Sequence, residues 1–357
     1  LASEVQELIQ MKKEKLVQYQ NYPGWIQRAA DLIEPADPWH QRLKARQYLF
    51  EGILLYLKHL NSAQPDSLQA VVQKFQQSIQ LQRENPLSYF YLSNLYAVTK
   101  VPKGKNWDSC YHYAQLATLH AKDWILPYSY FIHHSCKEFK DRKVPDSWIN
   151  RAWQLDSTHV FLLKSLGNCH YSAKAWNEAI SYYQKALQSD STDASLYTNL
   201  GAAYQSMDKM VEAELYFLKS IQINPKQTIA YISLGHLYYT LGRLQEAEEQ
   251  YRKAEENGMD DPKLFGRQAL VYLELGKWEL VERKCDQLEK WNAANWRPWY
   301  YRACLAAARL QQEKALEYLE KALALGFPDL SEIYKRMYFK DLRETEAFQK
   351  LMDKFKK

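Results

Sequence analysis

Glycine is scarce in this chain, with 11 residues in 357. So few permissive backbone positions poorly supply the tight turns of an all-β or loop-rich fold. Long apolar runs are also missing. No uncharged stretch approaches the roughly 18–20 residues that cross a bilayer, so membrane insertion is not expected. Basic blocks are absent too: 47 Lys and Arg stand against 42 Asp and Glu, leaving +5 spread along the sequence. That gives no patch for nucleic acid. The five cysteines (Cys110, Cys136, Cys169, Cys285 and Cys304) are odd in number and have no CxxC spacing. Their pattern argues against a disulfide framework or zinc module and points to a reducing, cytoplasmic setting. A Gly-rich phosphate loop, a GxSxG elbow and an HExxH helix are all lacking, so no enzyme activity, cofactor or metal is expected. The chain begins at Leu1, and LASEVQELIQMKKEK reads as amphipathic helix rather than signal peptide. A fragment or processed product is the expectation.

Tyrosine, at 27 residues, is abundant and suits helices packed through ring contacts. The octet YTNLGAAY at 197–204 returns as YISLGHLY at 231–238, 34 positions later. A ruler of 34 laid from residue 160 gives five windows without insertion: 160–193, 194–227, 228–261, 262–295 and 296–329. The second carries Tyr197, Leu200, Gly201, Tyr204, Ala213, Phe217 and Pro225 at window positions 4, 7, 8, 11, 20, 24 and 32. Position 8 stays small (Gly167, Gly201, Gly235, Ala269, Ala303), as expected where helix A closely approaches position 20 of helix B. Large residues at positions 4, 7 and 11 fill one helical face.

This spacing resembles the tetratricopeptide repeat (TPR), a helix–turn–helix unit of 34 residues. The resemblance implies an all-α, right-handed superhelical solenoid of antiparallel helix pairs, about eight pairs with a C-terminal capping helix. Some windows depart from the pattern: Gln268 and Arg302 occupy apolar position 7, Cys285 an aromatic position, and Met259 the place of the terminating proline. Upstream, 126–159 is a degenerate repeat with Pro145 at a packing position. PLSYFYLSNLYAVT pairs with helix 108–121, and YLFEGILLYLKHL with VVQKFQQSIQLQ, through extended loops at 100–107 and 61–70. The expected divisions are a helical pair over 1–38, degenerate repeats over 39–159, five in-register repeats over 160–329 and capping helices over 330–357.

The same resemblance implies that helix A lines a concave groove through positions 2, 5, 6, 9, 12 and 13. These positions hold Lys164, Asn168, Tyr171, Asn199, Ser233, Tyr239, Lys263, Arg267 and Arg297. Further members are Tyr130, Phe131, His134, Thr198, Ile232, His236, Tyr300 and Tyr301, with few carboxylates beyond Glu138 and Glu274. Such a surface suits an extended peptide: Asn pairs with main chain, Lys and Arg with carboxylates, and Tyr supplies area. Chaperone-binding TPR domains grip a terminal carboxylate with a Lys and Asn in one repeat, an Asn in the next, and a Lys and Arg in a third. Lys164, Asn168 and Asn199 match the first placements, but Lys263 and Arg267 come one repeat late, behind Ile229 and Ser233. The expected partner is therefore a protein or peptide segment, acidic or carboxyl-terminal, held without chemistry. His133-His134-x-Cys136 and Cys169-His170 invite a metal reading, but Cys136 and His170 fall at core position 11, where a buried thiol acts as a small hydrophobe.

KARQYLFEGILLYL, QKFQQSIQL and the tail YFKDLRETEAFQKLM also resemble TPR regions of multidomain bacterial signalling proteins, behind winged-helix, cyclase or kinase modules. This likeness implies an alternative: the C-terminal regulatory domain of a larger bacterial protein, binding a small molecule or an intramolecular segment. The sequence leaves the oligomeric state open.

Overall fold

The computed structural model describes residues 22–62, 65–98, 105–138, 144–328 and 330–355. Among them are 19 α-helices, one 3-10 helix and no strand. The helices are α1 (Tyr22–Asp31), α2 (Pro38–Ser62), α3 (Pro65–Leu81), α4 (Pro86–Val98), α5 (Lys105–His120), α6 (Ile125–Glu138), α7 (Asp146–Leu155), α8 (Val160–Ser172) and α9 (Trp176–Ser189). Beyond these lie α10 (Ala194–Ser206), α11 (Met210–Ile223), α12 (Thr228–Thr240), α13 (Leu244–Glu256), α14 (Pro262–Glu274), α15 (Trp278–Trp291), α16 (Arg297–Ala308), α17 (Gln312–Ala324), α18 (Leu330–Lys335) and α19 (Glu346–Phe355). Consecutive helices from α2 to α17 pack as pairs, with α1 against α2. The fold is thus a TPR-like, all-α array of stacked pairs. The chain divides into two compact units, 1–189 and 190–357.

Local chemistry starts and stops the helices at fixed repeat positions. Position 15, between helices A and B, is left-handed in all five regular windows: Lys174, Asp208, Gly242, Gly276 and Leu310 have φ between 60° and 73°. Position 31, between one B helix and the next A helix, holds an Asp or Asn whose Oδ1 accepts from the amide two residues on. Examples are Asp190 to Thr192 at 2.9 Å, Asn224 to Lys226 at 3.1 Å and Asn292 to Ala294 at 2.9 Å. Where no Asx is present, glycine takes a left-handed φ, 86° at Gly258 and 85° at Gly326. Leu310 therefore sits where a side chain is strained, and its own is 76% exposed. Leu310→Gly is expected to raise stability by about 1 kcal/mol, read as a higher urea midpoint; an unchanged midpoint would contradict the strain.

The small residue at position 8 makes room for an aromatic ring that the repeat spacing alone does not reveal. A Cβ on Gly167 would stand 2.4 Å from Tyr183, on Gly201 2.6 Å from Phe217 and on Gly235 2.7 Å from Tyr251. The nearest atoms in all three belong to the aromatic ring at position 24. Gly52 makes the same contact with Phe75 at 2.7 Å, which places α2 and α3 under the same rule. In α4 a serine takes the small position, and Ser93 Oγ donates to the Cys110 carbonyl at 2.9 Å.

Two expectations are corrected in the first unit. Most of the loop expected over 61–70 is helix: α2 runs through Ser62 and α3 starts at Pro65, a residue preorganised for a first helical turn. Cys136 and Cys169 form a disulfide between α6 and α8, with Cα atoms 5.0 Å apart. Positions 33 apart in sequence become neighbours because these two helices pack side by side. Odd cysteine number and missing CxxC spacing could not reveal this pairing, and the argument for a reducing compartment loses its basis. The core here is unusually aromatic. Phe131 stands 5.1 Å from Trp107 and 4.9 Å from Trp148, and Tyr128 lies 5.2 Å from Trp148. Large rings fill the space that regular repeats fill with interlocking small and large residues. The expected first pair over 1–38 is represented by α1, while 1–21 lies outside the described residues.

Candidate functional site

Helix A of each pair carries the residues singled out from the sequence, and each unit presents its own set. In the first unit Lys164, Asn168 and Tyr171 all lie on α8 and are half-buried. Asn168 is already engaged: its Oδ1 accepts from the Tyr183 hydroxyl at 2.8 Å, tying α8 to α9. Asn168 therefore braces the pair at the expense of one acceptor. Asn199 belongs to the second unit, so the three residues that match the chaperone-type placements are divided between units.

Four A helices of the second unit, α10, α12, α14 and α16, contain a single carboxylate, Glu274. Against it stand Lys263, Arg267, Arg297 and Arg302. Arg302 is neutralised by Glu282, Asp286 and Glu289 at 3.1, 2.6 and 2.9 Å, but Lys263 and Arg297 are exposed and Arg267 is half-buried. Arg267 lies close enough to His236 for its charge to matter. Burial first, and the Arg267 charge second, hold the His236 imidazole below its usual range. Gln205 Nε2 reaches His236 Nδ1 at 3.4 Å, linking α10 to α12. The Arg297 guanidinium rests 4.7 Å from the Trp296 ring centre, and its Cδ lies 3.9 Å from where a Cβ on Gly266 would stand. Asn199 and Ser233 are half-buried on α10 and α12. The second unit thus presents a face of amides, hydroxyls and cations, while acidic residues crowd its B helices, as in Glu246, Glu248, Glu249, Glu255 and Glu256 of α13.

Part of the expected groove is filled by the chain itself. Tyr300 and Tyr301, expected to face a ligand, are only 5% and 6% exposed. Tyr301 packs its hydroxyl over Gly266, 3.1 Å from the Cβ site. Tyr300 stacks on Phe327 at 4.6 Å and lies 6.3 Å from Phe339. The segment after α18 sends Arg336 back across the helices, where it pairs with Glu274 at 3.6 Å and lies near enough to Tyr239 for the phenol to act on its charge. Burial pushes the Tyr338 phenol upward, with Glu274 and Cys304 adding to the shift. Tyr239, singled out as a packing surface for ligand, is half-buried beside this Arg336. Arg336 carries no signal in the repeat pattern because it lies beyond the last window.

Cys110, Cys285 and Cys304 are buried, and burial raises all three thiols, Cys110 to about 11 and Cys304 to about 12, which keeps them protonated and poorly nucleophilic. Among the described residues no group of three or more His, Cys, Asp or Glu could hold a metal ion. No described helix is long and apolar enough to cross a membrane.

Comparison with known proteins agrees with the repeat geometry. Residues 192–257 match a tetratricopeptide repeat family and residues 167–208 a TPR repeat family, so the chain carries tetratricopeptide repeats. Repeats of this kind support a protein–protein interaction scaffold. No curated protein matches the chain. Among solved structures it is similar to Pseudomonas aeruginosa pilF, at 15% identity over 72% of this chain and 98% of that one, with a TM-score of 0.43. YrrB, a TPR protein with an unusual peptide-binding site, is 19% identical over 52% of this chain and 95% of its own, TM-score 0.38. The first TPR of Spaghetti (RPAP3), bound to the HSP90 peptide SRMEEVD, is 26% identical over 34% of this chain and 96% of its own, TM-score 0.32.

Proposed function

We propose that this chain is a non-catalytic scaffold whose second unit holds an extended acidic peptide along its A helices. The observation that supports this most is charge segregation: the four A helices carry one carboxylate, Glu274, already paired with Arg336, beside accessible Lys263, Arg267 and Arg297. An acidic strand lying there exchanges water for charge-assisted hydrogen bonds, with Asn199 and Ser233 as the residues that meet its main chain. Peptide recognition by YrrB and by the RPAP3 domain is in keeping with this reading.

The probe is a fluorescein-labelled peptide of nine residues alternating Glu and Leu, followed by anisotropy. Lys263→Glu/Arg267→Glu is expected to weaken it at least ten-fold without moving the melting temperature, since both side chains reach solvent. Equal affinity in the two proteins would sink the proposal. A second reading, a regulatory domain that binds an intramolecular segment, is favoured by Arg336 on Tyr239 and Glu274. In the same titration Arg336→Ala should bind the probe several-fold more tightly if the tail competes for the face, and no better if it merely caps the array.

A further inference from the structure

The first unit contains a cavity of about 750 Å³ that none of its A-helix candidates, Lys164, Asn168 or Tyr171, lines. Three stretches meet around it: the start of α2, the turn between α3 and α4, and the turn between α5 and α6. Its volume falls inside the roughly 300–1,000 Å³ of small-molecule sites. Leu49 and Leu87, 1% and 6% exposed, give it an apolar floor.

The walls are held in place by neighbours behind them. Trp124 packs against the buried Phe90 with ring centres 5.0 Å apart, and His120 stacks on Tyr89 at 5.7 Å. Asn85 is fixed at the opposite wall, donating to Ser78 Oγ at 3.3 Å and accepting from the Leu87 amide at 3.2 Å. Preset walls lower the ordering cost of a bound molecule. Among its charged lining residues cations outnumber carboxylates three to one. Arg42, Arg46 and Lys122 line it together with one carboxylate, Asp123, which accepts from Arg151 Nη2 at 2.6 Å. The Arg42 guanidinium lies 5.2 Å over the ring of Trp39, an indole 62% exposed at the rim.

We propose that this cavity binds a small amphiphilic anion, an aryl or acyl carboxylate, with its apolar body against Leu49, Leu87 and Trp124 and its carboxylate at Arg42 and Arg46. Guanidinium planes match a carboxylate two bonds at a time, and one stacked on an indole is already oriented for it. The inference is independent of the peptide-binding face, which lies in the other unit.

The test titrates the whole chain with 8-anilinonaphthalene-1-sulfonate and then competes it with decanoate or decanol. One saturable site is expected, from which decanoate displaces the probe at least ten-fold more effectively than decanol, which has the same body without the charge. Arg42→Gln/Arg46→Gln should weaken decanoate at least ten-fold, and Trp39→Ala, at an exposed rim position, several-fold. Lys263→Glu/Arg267→Glu should bind as the unaltered protein does. Decanol competing as well as decanoate overturns the proposal, as does loss of decanoate binding in the Lys263→Glu/Arg267→Glu variant in place of the arginine variant. Should the arginine double variant melt early, Trp39→Ala and the decanol comparison decide, because neither disturbs the core.

Discussion

Gly201→Leu is expected to lower the stability of the second unit by about 3 kcal/mol. Even the first added carbon would stand 2.6 Å from both Cδ1 and Cε1 of Phe217, a ring with no exposed surface. Such a ring has no flexible end to move aside. It is packed in one cluster with Tyr231, Leu234 and Ala213, so α10 and α11 must separate and open voids between them. Gly201→Ala sharpens the test, because two effects oppose. Alanine favours a helix interior over glycine by about 1 kcal/mol, yet overpacking costs about 1–3 kcal/mol, so a net loss is expected. The double variant Gly201→Ala/Phe217→Leu should recover part of it. Urea unfolding followed by circular dichroism reads all three, and an Ala variant at or above the original midpoint would refute the close-approach account.

Arg302→Ala is the second large effect, with an expected loss of about 2–3 kcal/mol. The arginine side chain is 11% exposed and meets Glu282, Asp286 and Glu289, spaced along one face of α15. Its removal leaves three carboxylates facing one another with no cation. These partners are 43%, 59% and 37% exposed, so water screens much of their repulsion and the loss falls below that of a fully buried network. Arg302→Leu restores the usual apolar residue at position 7 and should cost less than Arg302→Ala. The ion network also predicts that the Ala variant recovers stability in high salt or as pH falls through the carboxylate range, since both remove the repulsion. An Ala variant with unchanged stability at low salt would show that the network contributes nothing.

Arg302 also shows where the sequence was legible and where it was not. The 34-residue spacing announces the helix pairs of 160–329 because the same contacts recur in every repeat, so sequence and geometry share a period. Gln268 and Arg302 read as flaws on that ruler. Their partners lie on neighbouring B helices: Gln268 donates to Glu255 at 2.8 Å, and Glu255 also accepts from Lys284 at 2.7 Å. A periodic pattern cannot state such a non-periodic compensation. The same holds for the Cys136–Cys169 bond, and for Arg336, whose contacts with Tyr239 and Glu274 come from outside the array. Which residues ride on the A helices was readable one by one, because the repeat sets where each helix begins and ends. The burial of Tyr300 and Tyr301 was not, since it depends on how a capping segment folds back. The cavity beside Trp39 gives no sequence signal at all, being assembled from three connections widely separated in the chain.

The central claim is that the A-helix face of the second unit holds the peptide, and site-specific photo-crosslinking tests it most directly. A benzoylphenylalanine is placed either at Ser233, half-buried on α12, or at Val211, 80% exposed on α11, and each protein is irradiated with the labelled acidic peptide. The account predicts a covalent adduct from the Ser233 position, suppressed by excess unlabelled peptide and by Lys263→Glu/Arg267→Glu, with none from Val211. Equal adducts from both positions, or one from Val211 alone, would contradict it.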